Sequence, residues 1–576
     1  MLTKSQNEEL SFLKCNHYRL KTVKPVFALM LLAYSLLAQA AGSTTPGAGT
    51  ILQQINPVEP PAPSSTGTGL NIEQGNGAEL PPSVPFLVKT IRISGNALFD
   101  GVTLHALVVD AEGKSFTLSQ LNELAARITD YYHNHGYPLA RAIIPAQTIN
   151  DGAVMIEVIE ARFGKINLNN HSRVNDSLLL STLSTLQSGQ PINQAMLDQS
   201  LLLLSDIPGI VTSATLKPGQ AVGTSDLVVE AAPGSSVSGN VALDDYGNRY
   251  TGRAHAGGTV NFINPLRHGD VLNVNGLSSG SGMNYGRISY ESIMNGQGTR
   301  MGGSYSALHY ILGDSFSSLN GHGTADVESL WVKHPIVRSR DVNLYGQIQF
   351  DKKNLMDHID AIGIRSDRGI YNWTGSLSGD GRDTLLSGGI NTWNLGLTSG
   401  RVGFDDAMAQ LADSMTARTQ GSFKKWNASL GRLQSLSQGN RLYLTFSGQR
   451  ANSNLDSSEK MIAGGPYTVR AYAMGAVSGD TGYLGTAEFR HDLDQTGYGQ
   501  WQAIGFIDSE HVTVNKTVWA AGANDATLRG VGLGLNWAGQ NQWIAKAHIA
   551  KRVGTAPVLV ADAPSVRAWI EIDKGF

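Results

Sequence analysis

Apolar and polar residues alternate one by one through the C-terminal part of the chain, residues 235–576. In the segment 342–350, apolar residues and a glycine hold the even positions, and Asn, Tyr and Gln hold the odd ones. The same alternation recurs at 272–276, 442–447, 531–537 and 543–549, and no helical pattern of useful length intervenes. A period of two places apolar side chains on one face of a strand and polar ones on the other. This region is therefore predicted to consist of β-strands.

The alternation is typical of a transmembrane β-barrel, whose apolar side chains face lipid and whose polar side chains face the lumen. In lipid every backbone group must be paired, so only a closed barrel allows strands to cross. At about ten membrane residues per strand plus turns and loops, the region predicts about 16 antiparallel strands. A secreted β-sandwich or β-helix is the alternative, although its outer face would normally carry more charge.

Residues 85–162 and 163–234 mix helical and strand patterns. In the first region a strand pattern spans 86–93, a capping box at Thr117 and Gln120 begins a helix, and strands at 141–144 and 153–158 surround a turn at 150–152. In the second region, strands at 164–168, 211–216 and 227–231 accompany helices near 178–186 and 194–204. The sequence therefore predicts two tandem α+β units ahead of the barrel.

The first 40 residues are predicted to be a secretory signal peptide. Lys21 and Lys24 precede an apolar run at 25–37, and Ala38 and Ala40 form an A-x-A cleavage site. A membrane anchor is the alternative, although the run is shorter than the roughly 18–20 residues that span a bilayer. Residues 41–84 are predicted to hold a short helix around 51–55 and a Pro-rich extended linker, with a disordered N-terminus as the alternative.

Composition narrows the possible functions. Of 576 residues, 66 are glycine and 16% are charged, whereas about a quarter of a soluble chain is charged. A net charge of −3 argues against a nucleic-acid partner, because no basic excess exists to neutralise phosphates. A single cysteine, Cys15, excludes a disulfide scaffold, and because it precedes the predicted cleavage site the mature chain is expected to contain no cysteine. A mean hydropathy of −0.13 leaves no room for a multi-helix membrane protein.

Short motifs throughout the mature chain carry a family resemblance. They lie at 91–96, 136–137 and 141–152 in the first unit, at 201–209 and 223–227 in the second, and at 464–472 and 505–508 in the barrel. In these motifs and their order the chain resembles the outer-membrane transporters of two-partner secretion, the hemolysin secretion/activation family (TpsB type). The resemblance implies two POTRA domains in the periplasm, a 16-stranded barrel in the outer membrane and an N-terminal helix that plugs it.

The resemblance also implies roles for individual residues. The plug helix would contain Ile51, Leu52 and Ile55; the tip of the sixth extracellular loop would contain Gly464, Gly465, Pro466, Tyr467, Val469, Arg470 and Tyr472; the strand that meets it would contribute Gly505, Phe506 and Asp508. Arg470 is expected to bind Asp508; the alternative is an exposed loop arginine that never touches this aspartate. Ala471 stands where the family often has glycine. Trp569 and Phe576 resemble the C-terminal signal that the barrel-assembly machinery reads, or else belong to an ordinary edge strand.

The resemblance implies secretion of an unfolded exoprotein, captured by the POTRA domains, through the barrel without ATP; consistent with this, no G-x-x-x-x-G-K-[ST] motif is present. The expected partners are a large exoprotein with an N-terminal secretion domain (a hemolysin, an adhesin or a contact-dependent toxin), outer-membrane lipids and the barrel-assembly machinery, with the transporter itself a monomer. No catalytic, cofactor-binding or metal-binding residue is predicted. His133 and His135 lack a third metal ligand at suitable spacing, and no G-x-S-x-G motif supports a hydrolase. An assembly factor for other membrane proteins, a barrel enzyme and a passive porin are the alternatives.

Overall fold

The computed structural model of the protein describes residues 45–55, 64–72, 83–560 and 564–576. The predicted signal peptide, Cys15 and most prolines of the predicted linker lie outside these ranges. No helix within them is long and apolar enough to cross a membrane.

The first α+β unit is built from two small sheets around helix α3. Its elements, after the preceding helix α1 (Ala48–Ile55) and strand β1 (Leu70–Ile72), are β2 (Phe86–Val88), β3 (Thr90–Ser94), α2 (Gly101–Ala106), β4 (Lys114–Phe116), α3 (Leu118–Asn134), β5 (Arg141–Ile143) and β6 (Ala153–Ile159). Strand β6 lies between β3 and β5, and β2 pairs with β4. The predicted capping box is present, because the Thr117 hydroxyl accepts the Gln120 amide hydrogen and the Gln120 side chain accepts that of Thr117. The apolar face of α3 packs against the sheet.

Two details of this unit differ from the prediction. The strand expected at 86–93 is divided into β2 and β3, and β5 does not meet β6 through a tight turn. The intervening residues 144–152 form a longer connection, in which the Gln147 side chain donates to the Met155 carbonyl at 2.8 Å and accepts its amide at 2.7 Å. These bonds take the place of ladder bonds, so the connection leaves the sheet before the turn at Asp151, whose φ is 53°.

The second α+β unit carries a strand that the sequence placed in the linker. Its elements are β7 (Arg162–Asn170), α4 (Asp176–Leu183), α5 (Gln194–Ser205), β8 (Ile210–Pro218) and β9 (Thr224–Pro233). Its sheet has the order β1-β8-β9-β7, with Leu70 opposite Ala214. The linker is therefore partly a parallel edge strand. Gly69 precedes it with φ of 58°, and a Cβ there would lie 2.7 Å from the Thr212 carbonyl oxygen, so glycine suits this approach.

The remainder forms a closed antiparallel barrel of 16 strands, as predicted. The strands are β10 (Val237–Asp244), β11 (His255–Ile263), β12 (Val271–Ser278), β13 (Met283–Ile293), β14 (Arg300–Ile311), β15 (Gly321–Arg338), β16 (Val342–Ile359), β17 (Ile364–Asp383), β18 (Gly389–Phe404), β19 (Gly421–Ser437), β20 (Asn440–Ala451), β23 (Thr481–Asp492), β24 (Gly499–Thr513), β25 (Asp525–Gly539), β26 (Trp543–Arg552) and β27 (Val566–Gly575). Strands β21 (Met461–Ala463) and β22 (Val477–Gly479) form a hairpin within one loop. A helix that the sequence did not predict, α6 (Ala407–Met415), lies between β18 and β19.

The two faces of the wall match the alternation. Leu330, Ile348 and Trp373 face outward and are more than half exposed, whereas inward positions such as Gln347 and Gln349 bond to one another at 2.9 Å. At one end, short turns contact the second α+β unit. There the Arg338 guanidinium binds both oxygens of Asp206 at 2.7 and 2.8 Å. The long loops, including 405–420 and 452–480, lie at the other end.

Candidate functional site

Loop six, residues 452–480 between β20 and β23, folds into the barrel lumen. Gly464 and Gly465 turn the chain with φ of 90° and 124°, and the Gly475 amide donates to the Gly464 carbonyl at 3.1 Å. A Cβ on Gly465 would lie 2.9 Å from the sulfur of Met474. Only glycine has both the freedom of φ and the small size that this turn requires. The turn places Arg470 at the tip of the loop.

Arg470 is buried against the inner wall and held by two carboxylates. Its Nε and Nη2 atoms donate to the two oxygens of Asp508 at 2.9 and 2.7 Å, and its Nη1 donates to Glu488 at 2.7 Å. The guanidinium carbon lies 3.4 Å from the centroid of the Phe506 ring. Arg470 is 4% exposed and Asp508 is 0% exposed. A planar guanidinium that binds a carboxylate through two parallel bonds is fixed in direction as well as position.

The structure brings most of the predicted loop-six residues together. Val469 and Tyr472 are buried in one cluster with Phe506, and the Tyr467 ring contacts the Tyr246 ring edge-on at 5.6 Å. The indole Nε1 of Trp569 donates to the Arg470 carbonyl at 2.7 Å. Trp569 therefore contacts the loop as well as belonging to the last strand.

Three predicted residues lie elsewhere or contribute less. Gly505 pairs with Phe489 and Leu533 on the outward face of β24 and does not contact Arg470. Pro466 is half-buried at the turn. Phe576 is 54% exposed on the outer face, where its ring would collide with a Cβ on Gly239 of the first barrel strand.

Glu488 was missed by the sequence analysis. It lies on β23 and also accepts two bonds from Arg490, at 2.9 and 2.6 Å. Many inward-facing positions of the barrel wall are polar, so the alternation of apolar and polar residues does not distinguish Glu488 from the others.

Helix α1 lies inside the barrel, against the wall near the loop end. Ala48, Ile51 and Leu52 are buried with wall residues that include Tyr310, Leu355 and Phe423, and Ile55 packs at the edge of this cluster. The Ala48 amide donates to Asp357 at 2.6 Å, and the Gln53 side chain donates to the Ser458 carbonyl in loop six. A Cβ on Gly49 would lie 2.6 Å from the Ser458 amide nitrogen. The helix thus contacts both the wall and loop six.

A charged network joins α1, the wall and loop six. Asp357 accepts the Ala48 amide at 2.6 Å, the Tyr310 hydroxyl at 2.6 Å and the Arg368 guanidinium at 2.7 Å. Arg368 also binds Asp456 of loop six at 2.5 Å. A second loop-six carboxylate, Glu459, binds two wall lysines, Lys353 at 2.6 Å and Lys425 at 2.8 Å. The two occupants of the lumen therefore share one set of buried charges.

Within the described ranges, no group of three or more His, Cys, Asp or Glu side chains could hold a metal ion. His133 and His135, which the sequence offered as a possible metal pair, instead stabilise the end of α3. His133 Nε2 lies 3.0 Å from the Ala140 carbonyl oxygen, and His135 Nδ1 lies 2.7 Å from that of Tyr131. Nearby, burial and then the carboxylate of Glu160, which accepts its hydroxyl at 2.9 Å, raise the pKa of Tyr132.

The comparisons with known proteins agree with this architecture. The family model described as "Haemolysin secretion/activation protein ShlB/FhaC/HecB" matches residues 223–537, more than half of the chain. The chain belongs to this family. The model of the ShlB-type POTRA domain matches residues 86–161, which is the first α+β unit. These matches confirm the family that the sequence motifs indicated.

Individual relatives cover most of the transporter. It is 28% identical over 470 residues to the heme/hemopexin transporter protein HuxB of Haemophilus influenzae, which covers 81% of this chain and 82% of the relative. It is 22% identical to the outer membrane transporter CdiB of Escherichia coli, with 81% of each chain covered. The solved structure of CdiB from Escherichia coli superposes with a TM-score of 0.69 at 20% identity, covering 89% of this chain and 94% of that one, and supports the fold.

Membership of this family, the closed barrel and the POTRA domain together place the transporter in the outer membrane, with its POTRA domain in the periplasm. The end of the barrel that contacts the second unit is therefore periplasmic, and the end that carries loop six is extracellular. The chain is a translocator of the two-partner secretion type rather than an assembly factor for other barrels.

Proposed function

We propose that this transporter captures an unfolded exoprotein in the periplasm and passes it through the barrel lumen without ATP. The observation that carries the proposal is the way the lumen is closed. Helix α1 and loop six fill it, and in the described residues neither contributes a strand to the wall. Apart from backbone bonds at the two ends of the loop, from the Asn452 amide to Lys424 and from the Asp480 amide to Thr513, both segments are held by contacts that involve side chains. Contacts of this kind reform after release, so both segments suit a reversible closure.

The periplasmic units supply the surface for capture. We propose that residues 85–162 and 163–234 are two POTRA domains, followed by the barrel at 235–576 and preceded by the signal peptide (1–40) and the helix and linker (41–84). The sheet of the first unit ends in β3 and β5, which have no further strand beside them in the described residues. An extended cargo can add to such an edge through main-chain hydrogen bonds. On the second unit β1 already covers β8, so cargo binding at that edge requires β1 to leave.

Loop six is proposed to act as a conformational element. Arg470, Asp508 and Phe506 hold its tip against the wall while the transporter rests, with Val469 and Tyr472 packed behind them. The plug residues Ile51, Leu52 and Ile55 keep the extracellular half closed. Trp569 and Phe576 serve as the C-terminal signal for the barrel-assembly machinery, and Phe576 is accessible on the outer face. The translocator is proposed to carry no catalytic activity and to work as a monomer.

A conductance measurement tests the closure without knowledge of the cargo. The purified transporter in a planar lipid bilayer is expected to be mostly closed, and deletion of residues 45–55 is expected to produce a larger and more frequent open current. Deletion of the exposed residues 518–522, which lie in the loop between β24 and β25 and make none of the contacts with α1 or loop six described above, is the control. Equal currents from the complete chain and from the 45–55 deletion contradict the proposed plug.

The partner is proposed to be a large secreted exoprotein with an N-terminal secretion domain. Sequence identity favours a heme-handling cargo, since this chain is 28% identical to the heme/hemopexin transporter HuxB and 22% identical to CdiB. Co-expression of this transporter with secretion domains from a hemopexin-binding exoprotein, a hemolysin, an adhesin and a contact-dependent toxin decides among them. Secretion of the first domain alone supports the proposal, and secretion of the toxin domain alone overturns it.

A further inference from the structure

Three exposed cations lie side by side on the outer face of the barrel. Arg401 on β18, Lys424 on β19 and Arg450 on β20 are all exposed. Arg401 pairs with Ser422, two residues from Lys424, and Arg450 pairs with Trp426, two residues beyond it. Diagonal neighbours of this kind are about 7–8 Å apart. We call these three residues the outer cation cluster.

The cluster faces lipid rather than the lumen. Side chains two residues apart share a face, and each cation is an even number of residues from an exposed apolar side chain on its own strand. These are Leu395 on β18, Trp426 on β19 and Phe446 on β20, which are 47%, 51% and 49% exposed. The polar residues Thr398, Asn427 and Gln449 occupy the inward positions of the same strands and are bonded within the lumen.

The cluster lies at the level of the outer-leaflet headgroups. It is near the extracellular ends of its strands, next to α6 and the start of loop six. Trp426 is two residues nearer the membrane centre than Lys424, and Trp373, which is 60% exposed, pairs with Ser399. Aromatic side chains form a girdle at the membrane–water interface of outer-membrane barrels. Cations just outside this girdle meet the headgroups.

None of the three side chains has a partner among the described residues. By contrast, the outward-facing Lys352 on β16 lies 3.4 Å from Glu328 on the neighbouring strand. Three unpaired cations within about 15 Å repel one another unless an anion lies between them, since the arrangement places like charges on adjacent strands. Guanidinium and ammonium groups both bind phosphate, the former through two parallel hydrogen bonds.

We propose that Arg401, Lys424 and Arg450 form a binding site for the phosphate groups of the phosphorylated glycolipid, lipid A, in the outer leaflet. Its acyl chains would lie along the apolar wall beneath the cluster, against Trp426 and Trp373. Such a lipid would fix the barrel beside the strand that leads into loop six.

Binding of diphosphorylated lipid A to the purified transporter, measured by native mass spectrometry in detergent, tests the site. Each cation near a lipid surface contributes about fivefold to binding, so R401Q/K424Q/R450Q is expected to weaken it roughly a hundredfold. The variant R401K/R450K keeps the charge and is expected to bind within a few fold of the original chain. Lys352→Gln, which removes an outward cation that has its own carboxylate, is expected to leave binding unchanged. Retention of heat-modifiable migration in gels shows that each barrel is folded.

The lipid arms of the experiment identify the ligand. Lipid A without phosphates is expected to bind the original chain as weakly as diphosphorylated lipid A binds the triple variant. Inorganic phosphate is expected to compete poorly, because it lacks the acyl chains that reach the wall. The proposal is overturned if the triple variant binds lipid A as well as the original chain, if Lys352→Gln weakens binding equally, or if phosphate-free lipid A binds as tightly. Efficient competition by inorganic phosphate overturns the lipid assignment and leaves a site for free phosphate.

Discussion

Breaking the contact between Arg470 and Asp508 is expected to release the tip of loop six from the wall. The two side chains are 4% and 0% exposed, and the guanidinium binds both carboxylate oxygens. Removing one member of a buried pair costs about 3–5 kcal/mol, because the other charge is left without its partner. At 1.4 kcal/mol per factor of ten, the loop equilibrium shifts roughly a hundredfold to a few thousandfold toward release.

The variants differ in what they leave behind. Arg470→Ala leaves Asp508 with the Thr486 hydroxyl at 3.1 Å as its side-chain partner among the described residues. Asp508→Asn leaves Arg470 its bond to Glu488 at 2.7 Å. We therefore expect the larger effect from Arg470→Ala. The double variant should lose less than the sum of the two single variants, because neither partner is then stranded.

Hydrogen exchange of residues 464–472, measured by mass spectrometry with the transporter in lipid nanodiscs, reports the release directly, since amide exchange follows local opening. Protection of this segment should fall most in Arg470→Ala, while β24 keeps its protection and shows that the barrel is intact. Arg365→Ala, which removes an exposed arginine on β17, is the matched control. Unchanged protection in Arg470→Ala, or strictly additive effects in the double variant, refutes the reasoning.

Three further perturbations test other contacts. Gly49→Leu brings a side chain against Ser457 and Ser458, so α1 should leave its position and the bilayer current should rise. Glu160→Ala removes the acceptor of the Ala97 and Leu98 amides, at 2.6 and 2.7 Å. The same carboxylate accepts the hydroxyl of Tyr132, which is fully buried, at 2.9 Å. Because a stranded buried donor costs about 1–3 kcal/mol, the first unit should unfold at lower urea concentration, as followed by hydrogen exchange. Hydrogen bonds from the Ile91 amide and then His105 lower the pKa of Glu112. Its stabilising contribution is therefore present above the carboxyl's unfolded pKa and is lost as pH falls through the folded pKa, so exchange at Ile91 should accelerate in acid beyond its intrinsic pH dependence.

Each of these tests has a control in the chain. A Cβ on Gly67 would meet only Ser65 Oγ, at 3.9 Å, so Gly67→Leu should leave the current unchanged; equal currents from the Gly49 and Gly67 variants contradict the packing of α1. Glu123 is exposed on α3, and Glu123→Ala should not alter unfolding of the first unit. If Glu160→Ala unfolds at the same urea concentration as Glu123→Ala, the amides do not depend on Glu160. Glu112→Gln should abolish the acid dependence at Ile91, and persistence of that dependence assigns it to another group.

The sequence predicted those features that repeat or depend on neighbouring residues. The alternation of side chains predicted the barrel, because every strand has the same requirement for an apolar face, and the length of the region predicted the number of strands. The capping box at Thr117 predicted the start of α3, since both of its partners lie within one turn. Contacts between distant segments were harder to predict. Strand β1 has three residues, and its pairing with β8 joins positions more than a hundred residues apart.

The candidate site shows the same division. The loop-six motif indicated that Arg470 faces Asp508 by resemblance to a family, not by periodicity. Glu488 had no local signal that distinguished it from other wall residues, although it binds Arg470 directly. Trp569 was predicted only as part of the C-terminal signal, and its bond to the Arg470 carbonyl was not predicted. The network around Asp357 and Arg368 depends on which inward charges meet α1 in space. No regular spacing of residues along the sequence indicates which of these charges come together.

The position of Asp357 between α1 and the anchor of loop six bears on the permeability of the cell envelope. It receives the first amide of α1 and also Arg368, which holds Asp456 of loop six. Departure of the helix leaves this carboxylate with fewer donors and loosens the anchor of the loop, and departure of the loop does the same to the helix. The two obstructions are thus expected to leave and return together. A transporter with this linkage passes little of its time half open, so a wide secretion channel need not admit antibiotics or detergents while it waits for cargo.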